Sequence, residues 1–412
     1  MTADQDTSHP YRWAALFGVW LIYYSFGLCI ASMAPLVSEI SGDLGVSNST
    51  MGLILGAWQL TYIAAALPLG SLLDRTGVAL GLMVSAAVMA LSLALRGAAE
   101  SEWTLFAAVC VFGLGGPLIS VGAPKLIALW FTGASRGMAM GIYMTGPALG
   151  GITAFSLANP VLLPMTGSWR GVMWFLAACV LSAGVIWWLI SRHPEMRKRD
   201  GKISGLSKAG SLVAFREIAG IRTVQIVLLM SIGIFTLNHG LNNWLPEILR
   251  AKGMSATDAG YWASIPTIVG VIGALTIPRF ATPERRIPIM FALFAAVLIA
   301  TLLLHLAPGT GLATGLILQG IARSSMMTVA ILLLMEAPGV PPERAGMAGG
   351  MFFTVAEIGG VSGPVAIGLS SDASGGFALP LMICSGVACT LIALLLYLRT
   401  HQNALASALG RS

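Results

Sequence analysis

The chain has 412 residues, of which 56% are hydrophobic and only 10% are charged, and its formal net charge is +6. Soluble domains carry about 25% charged residues, so this composition excludes a water-soluble protein and requires the lipid bilayer as solvent for most of the surface. The five cysteines lie inside apolar runs, which excludes a disulfide scaffold.

Twelve apolar runs follow one another along the chain, and each approaches the roughly 20 residues that a spanning helix needs. The residues before the first run lack a basic start and a small-residue cleavage site, so the first run is expected to be a mature span. The sequence therefore predicts an all-α membrane protein. The predicted spans are 13–36, 51–72, 78–97, 103–129, 137–158, 171–191, 223–246, 259–277, 287–307, 311–336, 345–370 and 377–398.

One long polar segment, 192–220, separates the sixth span from the seventh. It predicts an N-terminal six-helix bundle over 1–191, a cytoplasmic central loop over 192–220 and a C-terminal six-helix bundle over 221–412.

Basic residues set the orientation, because Lys and Arg are concentrated in cytoplasmic loops. With both termini in the cytoplasm, most of the 23 Lys and Arg lie inside, and Arg96, Arg170, Arg250 and Lys252 are expected to lie outside. The protein is thus expected in the cell (inner) membrane. This topology also explains the Arg-Lys-Arg cluster at 197–199, for which binding of lipid head groups is the alternative.

The two halves of the chain repeat each other. Residues 137–151 and 346–360 share Gly-Met-Ala-x-Gly, a later Thr and a closing Gly-Gly at an offset of 209. Gly45-Val-Ser and Gly253-Met-Ser match at an offset of 208. Small residues recur in any membrane helix because they permit close packing, but two matches at nearly one offset favour a true repeat. A six-plus-six repeat predicts two pseudo-symmetric bundles that rock about a central site.

A short motif joins the second span to the third. Gly70-Ser-Leu-Leu-Asp74-Arg75-Thr-Gly77 resembles the G-x-x-x-D-R-x-G motif of the major facilitator superfamily. The resemblance extends over essentially the whole chain, with its twelve spans, repeat and basic central loop. It implies that Asp74 and Arg75, between Gly70 and Gly77 in a cytoplasmic loop, latch the bundles together. The alternative is an ordinary solvated turn.

Two further segments point to different subfamilies. Gly146-Pro147-Ala-Leu-Gly150-Gly151 resembles the motif that bends the fifth helix of proton-coupled drug antiporters at its contact with the other half. The segment from Asn243 to Gly260, and Pro124-Lys125 with the residues that follow, resemble cyanate-permease-like and related small-anion porters. The second resemblance covers two regions and is preferred.

Two ionisable residues lie near the middle of predicted spans, where a charge costs on the order of 3 kcal/mol. Arg323 in span 10 keeps its charge, so it suits a receptor for an anionic substrate. Glu357 in span 11 can lose and regain a proton, so it suits proton coupling. The alternative is a structural ion pair between the two.

Other polar and aromatic residues could complete a substrate site. His239, Asn242 and Asn243 share one face of span 7, where they either bind substrate or hydrogen-bond across helices. Gln319 lies one turn before Arg323. Two aromatic residues of span 1 and a lysine near the end of span 4 are further candidates, although packing and snorkelling are the alternatives: Tyr23, Tyr24 and Lys125.

The sequence gives no support for an enzyme, a metal site or a cofactor, since it lacks a P-loop, an HExxH motif and any Cys and His cluster with metal spacing. It predicts a monomeric secondary transporter, working by alternating access, for a small anionic solute with proton coupling. A proton-coupled exporter of amphipathic compounds is the alternative, and a transporter-derived sensor is a further one. The expected partners are the substrate, protons and the lipid bilayer, without nucleic acid.

Overall fold

The computed structural model describes residues 9–200, 212–306, 309–341 and 344–409, and within them it contains helices, turns and bends but no strand. Eleven helices of this part are long and apolar enough to cross a membrane. The predicted all-α membrane fold is confirmed. Residues 1–8, which precede the first span, and 201–211, within the predicted central loop, lie outside the described residues.

The α-helices of the described residues follow one another with short connections. They are α1 (Arg12–Ala31), α2 (Val37–Leu44), α3 (Asn48–Leu55), α4 (Ala57–Thr76), α5 (Val78–Gly97), α6 (Glu102–Trp130), α7 (Gly133–Leu157), α8 (Leu163–Thr166), α9 (Trp169–Ser191), α10 (Pro194–Asp200), α11 (Leu212–Gly220), α12 (Arg222–Arg250), α13 (Ala256–Phe280), α14 (Arg286–Leu306), α15 (Thr310–Met335), α16 (Ala345–Ser374) and α17 (Ala378–Leu409).

Each predicted span coincides with one of these helices or with two consecutive ones. Several helices are longer than the predicted spans, because the helical backbone continues into the polar residues that flank an apolar run. For example, α13 has 25 residues. The second predicted span corresponds to the end of α3 and to α4, and the 20-residue α4 is not among the eleven spanning candidates.

The first predicted span is broken rather than continuous. After α1 the chain makes a short 3₁₀ turn, Ala34–Leu36, before α2 begins, and Pro35 within this turn has no N–H to donate. Arg96 stabilises the break, because its Nη1 donates to the carbonyl oxygen of Cys29 and to Ser32 Oγ, each at 3.1 Å. Arg96 lies in the last turn of α5, within the predicted third span, and is 2% exposed.

The chain forms two compact units. Unit 1 comprises Met1–Val46, Ala57–Ser207 and Met254–Ser264; unit 2 comprises Ser47–Gly56, Lys208–Gly253 and Ile265–Ser412. Each unit thus takes a short segment from the opposite half of the sequence. In unit 2, Asp372 of α16 accepts hydrogen bonds from the first turn of α3, from the N–H of Asn48 at 3.2 Å and of Ser49 at 2.7 Å.

The repeated glycines hold two helix pairs at backbone contact, one in each unit. A Cβ added at Gly150 of α7 would lie 2.1 Å from the carbonyl oxygen of Tyr24 in α1, and one at Gly359 of α16 would lie 2.0 Å from that of Ile232 in α12. The four positions are related by the offsets of 208 and 209 that the sequence shows. The repeat therefore specifies the same close helix contact twice.

The start of the predicted central loop is helical and packs on unit 1. Asp200, the last residue of α10, accepts hydrogen bonds from the N–H groups of Val78 at 2.7 Å and Ala79 at 3.1 Å, so it caps the first turn of α5. The guanidinium of Arg199 lies 4.3 Å from the ring of Trp130 and donates to the carbonyl oxygen of Leu129 at 3.2 Å. These contacts fix α10 against the ends of α5 and α6.

Candidate functional site

Three helices contribute residues of unit 2 to a cluster at Arg323, which lies near the middle of α15. At 1.5 Å per residue its Cα lies about 20 Å from the Thr310 end of the helix and about 18 Å from the Met335 end. The Nη1 group donates to Asn242 Oδ1 of α12, and the Nη2 group donates to Thr267 Oγ1 of α13 at 3.1 Å. Both partners are neutral, so they orient the guanidinium without cancelling its charge.

Small residues allow α13 to approach α15 closely enough for this contact. A Cβ at Gly320 would lie 2.4 Å from the carbonyl oxygen of Pro266, and one at Gly270 would lie 2.3 Å from Ser324 Oγ. The short side chain of Thr267, next to Pro266, can therefore reach Arg323. Sequence reasoning missed Thr267, although a threonine beside a proline within a predicted span is a polar group that needs a partner.

Arg323 and Glu357 form no ion pair in the part of unit 2 that the structure describes. The alternative interpretation of a structural ion pair is therefore wrong. Glu357 lies on α16, is 5% exposed, and its Oε2 accepts no hydrogen bond from a described residue. The helices of unit 2 thus hold a buried carboxyl group and a central guanidinium, neither of which is neutralised by the other.

The three polar residues on the predicted face of α12 differ in their contacts. Asn242 accepts from Arg323, whereas the Nδ2 of Asn243 donates to the carbonyl oxygen of His239 at 2.9 Å and Asn243 is 2% exposed. The ring of His239 lies 5.4 Å from that of Phe235. Asn242 therefore belongs to the surroundings of the guanidinium, the Asn243 amide is engaged within its own helix, and a role of His239 in substrate binding stays a prediction.

Gln319 lies one helical turn before Arg323 and is 1% exposed. Both its amide nitrogen and its amide oxygen are without a hydrogen-bond partner among the described residues. Buried polar atoms are nearly always paired with protein, water or ligand, so this amide is suited to bind a molecule that enters beside α15.

The aromatic candidates of α1 are engaged inside unit 1. Tyr23 stacks on Tyr143 with ring centroids 5.4 Å apart, and the hydroxyl of Tyr24 donates to Thr153 Oγ1 at 2.9 Å. Lys125 is partly exposed near the end of α6. These three residues belong to unit 1 and the Arg323 cluster to unit 2, and their role in substrate binding stays a prediction.

The sequence predicted a loop for the motif from Gly70 to Gly77. In the structure the motif instead forms the last turns of α4, together with the residue that ends this helix. Gly70, Asp74 and Arg75 are helical, and Arg75 is exposed. Gly77 has a φ of 89°, which ends the helix and favours glycine. The Asp74 side chain lies outside the described part of the chain, so the latch stays a prediction.

The motif from Gly146 to Gly151 lies in α7 and contacts α1 of the same unit. A Cβ at Gly146 would lie 2.9 Å from the carbonyl oxygen of Trp20, and one at Gly27 would lie 2.0 Å from that of Pro147. Gly151 is less crowded, with Ala31 Cβ at 3.8 Å. The motif therefore provides a close helix contact within unit 1.

The described residues contain no group of three or more His, Cys, Asp or Glu side chains that could hold a metal ion.

Residues 15–364 match the family model of the Major Facilitator Superfamily. The chain is 24% identical to the probable galactarate/D-glucarate transporter GudP of Bacillus subtilis (strain 168), over 89% of this chain and 87% of that protein. It is also 24% identical to the probable sulfoacetate transporter SauU of Cupriavidus necator, over 89% of this chain and 88% of that protein.

A solved structure shares the fold. The crystal structure of a bacterial homologue of the human lysosomal transporter Spinster, inward-facing and unoccupied, superimposes with a TM-score of 0.71 and 20% sequence identity. The match covers 95% of this chain and 96% of that one.

Proposed function

The chain belongs to the Major Facilitator Superfamily of membrane transporters, and we propose that it moves a small organic anion across the cell membrane by alternating access. The observation that carries this proposal is the Arg323 cluster. A guanidinium near the middle of a spanning helix is hydrogen-bonded only to neutral oxygens of Asn242 and Thr267 among the described residues.

The energetics of this arrangement favour an anionic ligand. A charge at the centre of a membrane helix costs about 3 kcal/mol, and the cost is normally offset by a partner of opposite charge. Two N–H groups of Arg323 are engaged with neutral partners, which leaves others for a carboxylate or sulfonate. An anion bound there would receive short charge-assisted hydrogen bonds, and a planar guanidinium can grip a carboxylate with two of them.

The polar atoms around Arg323 suggest a hydroxylated substrate. The Gln319 amide can both donate and accept, and the Asn242 amide nitrogen can donate. Transporters similar to this chain are named for galactarate and D-glucarate, which carry hydroxyl groups beside their carboxylates, and for sulfoacetate. We therefore favour a short carboxylate or sulfonate, with hydroxyl groups read by Gln319 and Asn242.

Glu357 is the proposed site of proton coupling. A buried carboxylate without a cationic partner is costly, so the protonated form is favoured while the surroundings are dry. Entry of water, or a second ion, would favour release of the proton. Coupling of this kind would drive the anion together with a proton through a monomeric transporter in the cell (inner) membrane, with both termini in the cytoplasm.

The test is thermal unfolding of the detergent-purified protein in the presence of galactarate, D-glucarate, sulfoacetate, sulfate and, separately, tetraphenylphosphonium. A ligand present at 100 times its Kd stabilises the native state by about 2.7 kcal/mol and raises the unfolding midpoint. We expect one class of organic anion to raise it. In Arg323→Gln the loss of two charge-assisted hydrogen bonds, about 1.5 kcal/mol or more each, should weaken binding at least about a hundredfold.

The control is Arg399→Gln, which removes the same charge from an exposed position on α17. This variant should bind the anion as the unmodified protein does. Equal affinity in Arg323→Gln would overturn the assignment of the site. Stabilisation by tetraphenylphosphonium alone, lost in Glu357→Gln but kept in Arg323→Gln, would instead support a proton-coupled exporter of amphipathic cations.

A further inference from the structure

An apolar groove lies on the surface of unit 1, between α5 and α9. It is an open groove with a volume of about 200 Å³, lined on α5 by Met83, Ala86 and Ala87, and on α9 by Leu181, Gly184, Val185 and Trp188. A Cβ at Gly184 would lie 3.2 Å from that of Ala86, so these two small residues form the floor of the groove.

One end of the groove carries a fixed positive charge. Arg192 follows the last residue of α9, and its guanidinium carbon lies 3.7 Å from the centre of the Trp188 ring. Arg192 is exposed, and it forms no ion pair with a carboxylate of the described residues. The stacking holds the charge at the mouth of the groove, directly above an apolar wall.

The segment beyond Arg192 adds to this charge. Residues 192–200 contain four cations and two anions, Glu195 and Asp200, which gives a net charge of +2 from four minus two. Asp200 is engaged in capping α5, and Arg197 and Lys198 are exposed. The mouth of the groove is therefore bordered by a surface that attracts anions.

The groove extends from near the helix ends toward the middle of α5 and α9. Leu181 lies about 15 Å from the Ser191 end of α9, and Met83 lies about 8 Å from the Val78 end of α5, at 1.5 Å per residue. An acyl chain in the groove would thus extend from just below the helix ends toward the membrane centre. Its phosphate would then lie at the level of Arg192, where helix ends meet the head groups.

We propose that this groove is a binding site for one anionic phospholipid, with an acyl chain along Leu181, Val185 and Trp188 and its phosphate on Arg192. A zwitterionic lipid would fill the apolar part equally well, and the guanidinium selects the anionic head group. A basic pocket between membrane helices is the kind of surface that recognises such lipids.

The experiment is native mass spectrometry of the full chain, titrated in detergent with phosphatidylglycerol or with phosphatidylcholine. The apparent Kd for the first bound phosphatidylglycerol should be about fivefold lower than for phosphatidylcholine, because one basic residue near the surface contributes about that factor. Arg192→Gln should abolish this preference. Arg399→Gln removes an exposed helical arginine that does not line the groove, and this variant should keep the preference.

A second pair of variants tests the acyl chain. Ala87→Phe places a ring in the groove and should weaken the binding of both lipids, whereas Ala393→Phe makes the same change at an exposed alanine of α17 and should not. Equal affinity for the two lipids in the unmodified protein would overturn the proposal. So would an unchanged preference in Arg192→Gln, or unchanged binding in Ala87→Phe.

Discussion

The contacts of Asn242 and Asn243 lead to a sharp prediction, because two adjacent residues of one type have different partners. Asn242 accepts a hydrogen bond from the Arg323 guanidinium, whereas Asn243 donates to a carbonyl oxygen of its own helix. Asn242→Ala should therefore weaken binding of the anionic substrate, and Asn243→Ala should leave it nearly unchanged.

The size of the effect follows from the charged partner. A hydrogen bond to a charged group contributes about 1.5 to 3 kcal/mol, against about 1 kcal/mol for a neutral pair. Without Asn242 the guanidinium is held only by Thr267 among the described contacts, so it must be reoriented before it meets a carboxylate. We expect the binding free energy of the anion to fall by about 1.4 kcal/mol, which raises its Kd about tenfold.

The assay is the dependence of the unfolding midpoint on the concentration of the stabilising anion, measured by tryptophan fluorescence for the two variants and the unmodified protein. Each variant is first melted without ligand, so that a loss of stability is separated from a loss of affinity. For Asn243→Ala we expect a Kd within about twofold of the original, since its bond is neutral and local. If Asn243→Ala weakened binding as strongly as Asn242→Ala, the assignment of Asn242 as a positioning residue for Arg323 would be refuted.

Three further predictions concern other parts of the molecule. Glu357→Gln should abolish the stimulation of uptake by a pH gradient in proteoliposomes while keeping exchange of substrate at equal pH, and a stimulation that persists would contradict proton coupling at this residue. Gly150→Ala should lower the free energy of unfolding by about 1 to 3 kcal/mol, and so lower the unfolding midpoint, because the new Cβ would meet the Tyr24 carbonyl. Gly141→Ala, on the same helix with no neighbour within 4 Å, should not; equal melting of the two would contradict the close contact. Asp372→Asn should accelerate amide hydrogen exchange at Asn48 and Ser49, because Asp372 accepts hydrogen bonds from the N–H groups of both residues. Unchanged rates would show that the carboxylate charge adds nothing to this cap.

The order of the helices could be predicted because a bilayer imposes a length on each of them. Apolar runs of about 20 residues separated by short polar segments leave few alternatives for the position of each helix. The glycines repeated at one offset indicate in addition that the two halves share one pattern of helices. The break after α1 was harder to predict, since Pro35 is compatible with a kinked but continuous helix. It became clear only with Arg96 donating to the carbonyl oxygen of Cys29.

The candidate site could be predicted only in part, because hydropathy gives the depth of a residue and not the direction in which it points. The central position of Arg323 was evident from the length of its span. Its partners were not: Asn242 and Asn243 differ by about 100° of helical rotation, and sequence alone assigned both to one face. Thr267 was missed because contact with Arg323 depends on how closely α13 approaches α15, which is set by Gly320 and Gly270.

The cap that Asp200 forms on α5 has a practical consequence for dividing the gene. Because Val78 and Ala79 donate to a carboxylate located more than a hundred residues later, a fragment that ends before Asp200 leaves the first turn of α5 without this acceptor. Coexpression of the two halves as separate polypeptides should therefore use a cut on the carboxyl side of Asp200, which leaves α10 with the first fragment. A fluorescent reporter inserted between the halves should likewise be placed on the carboxyl side of Asp200.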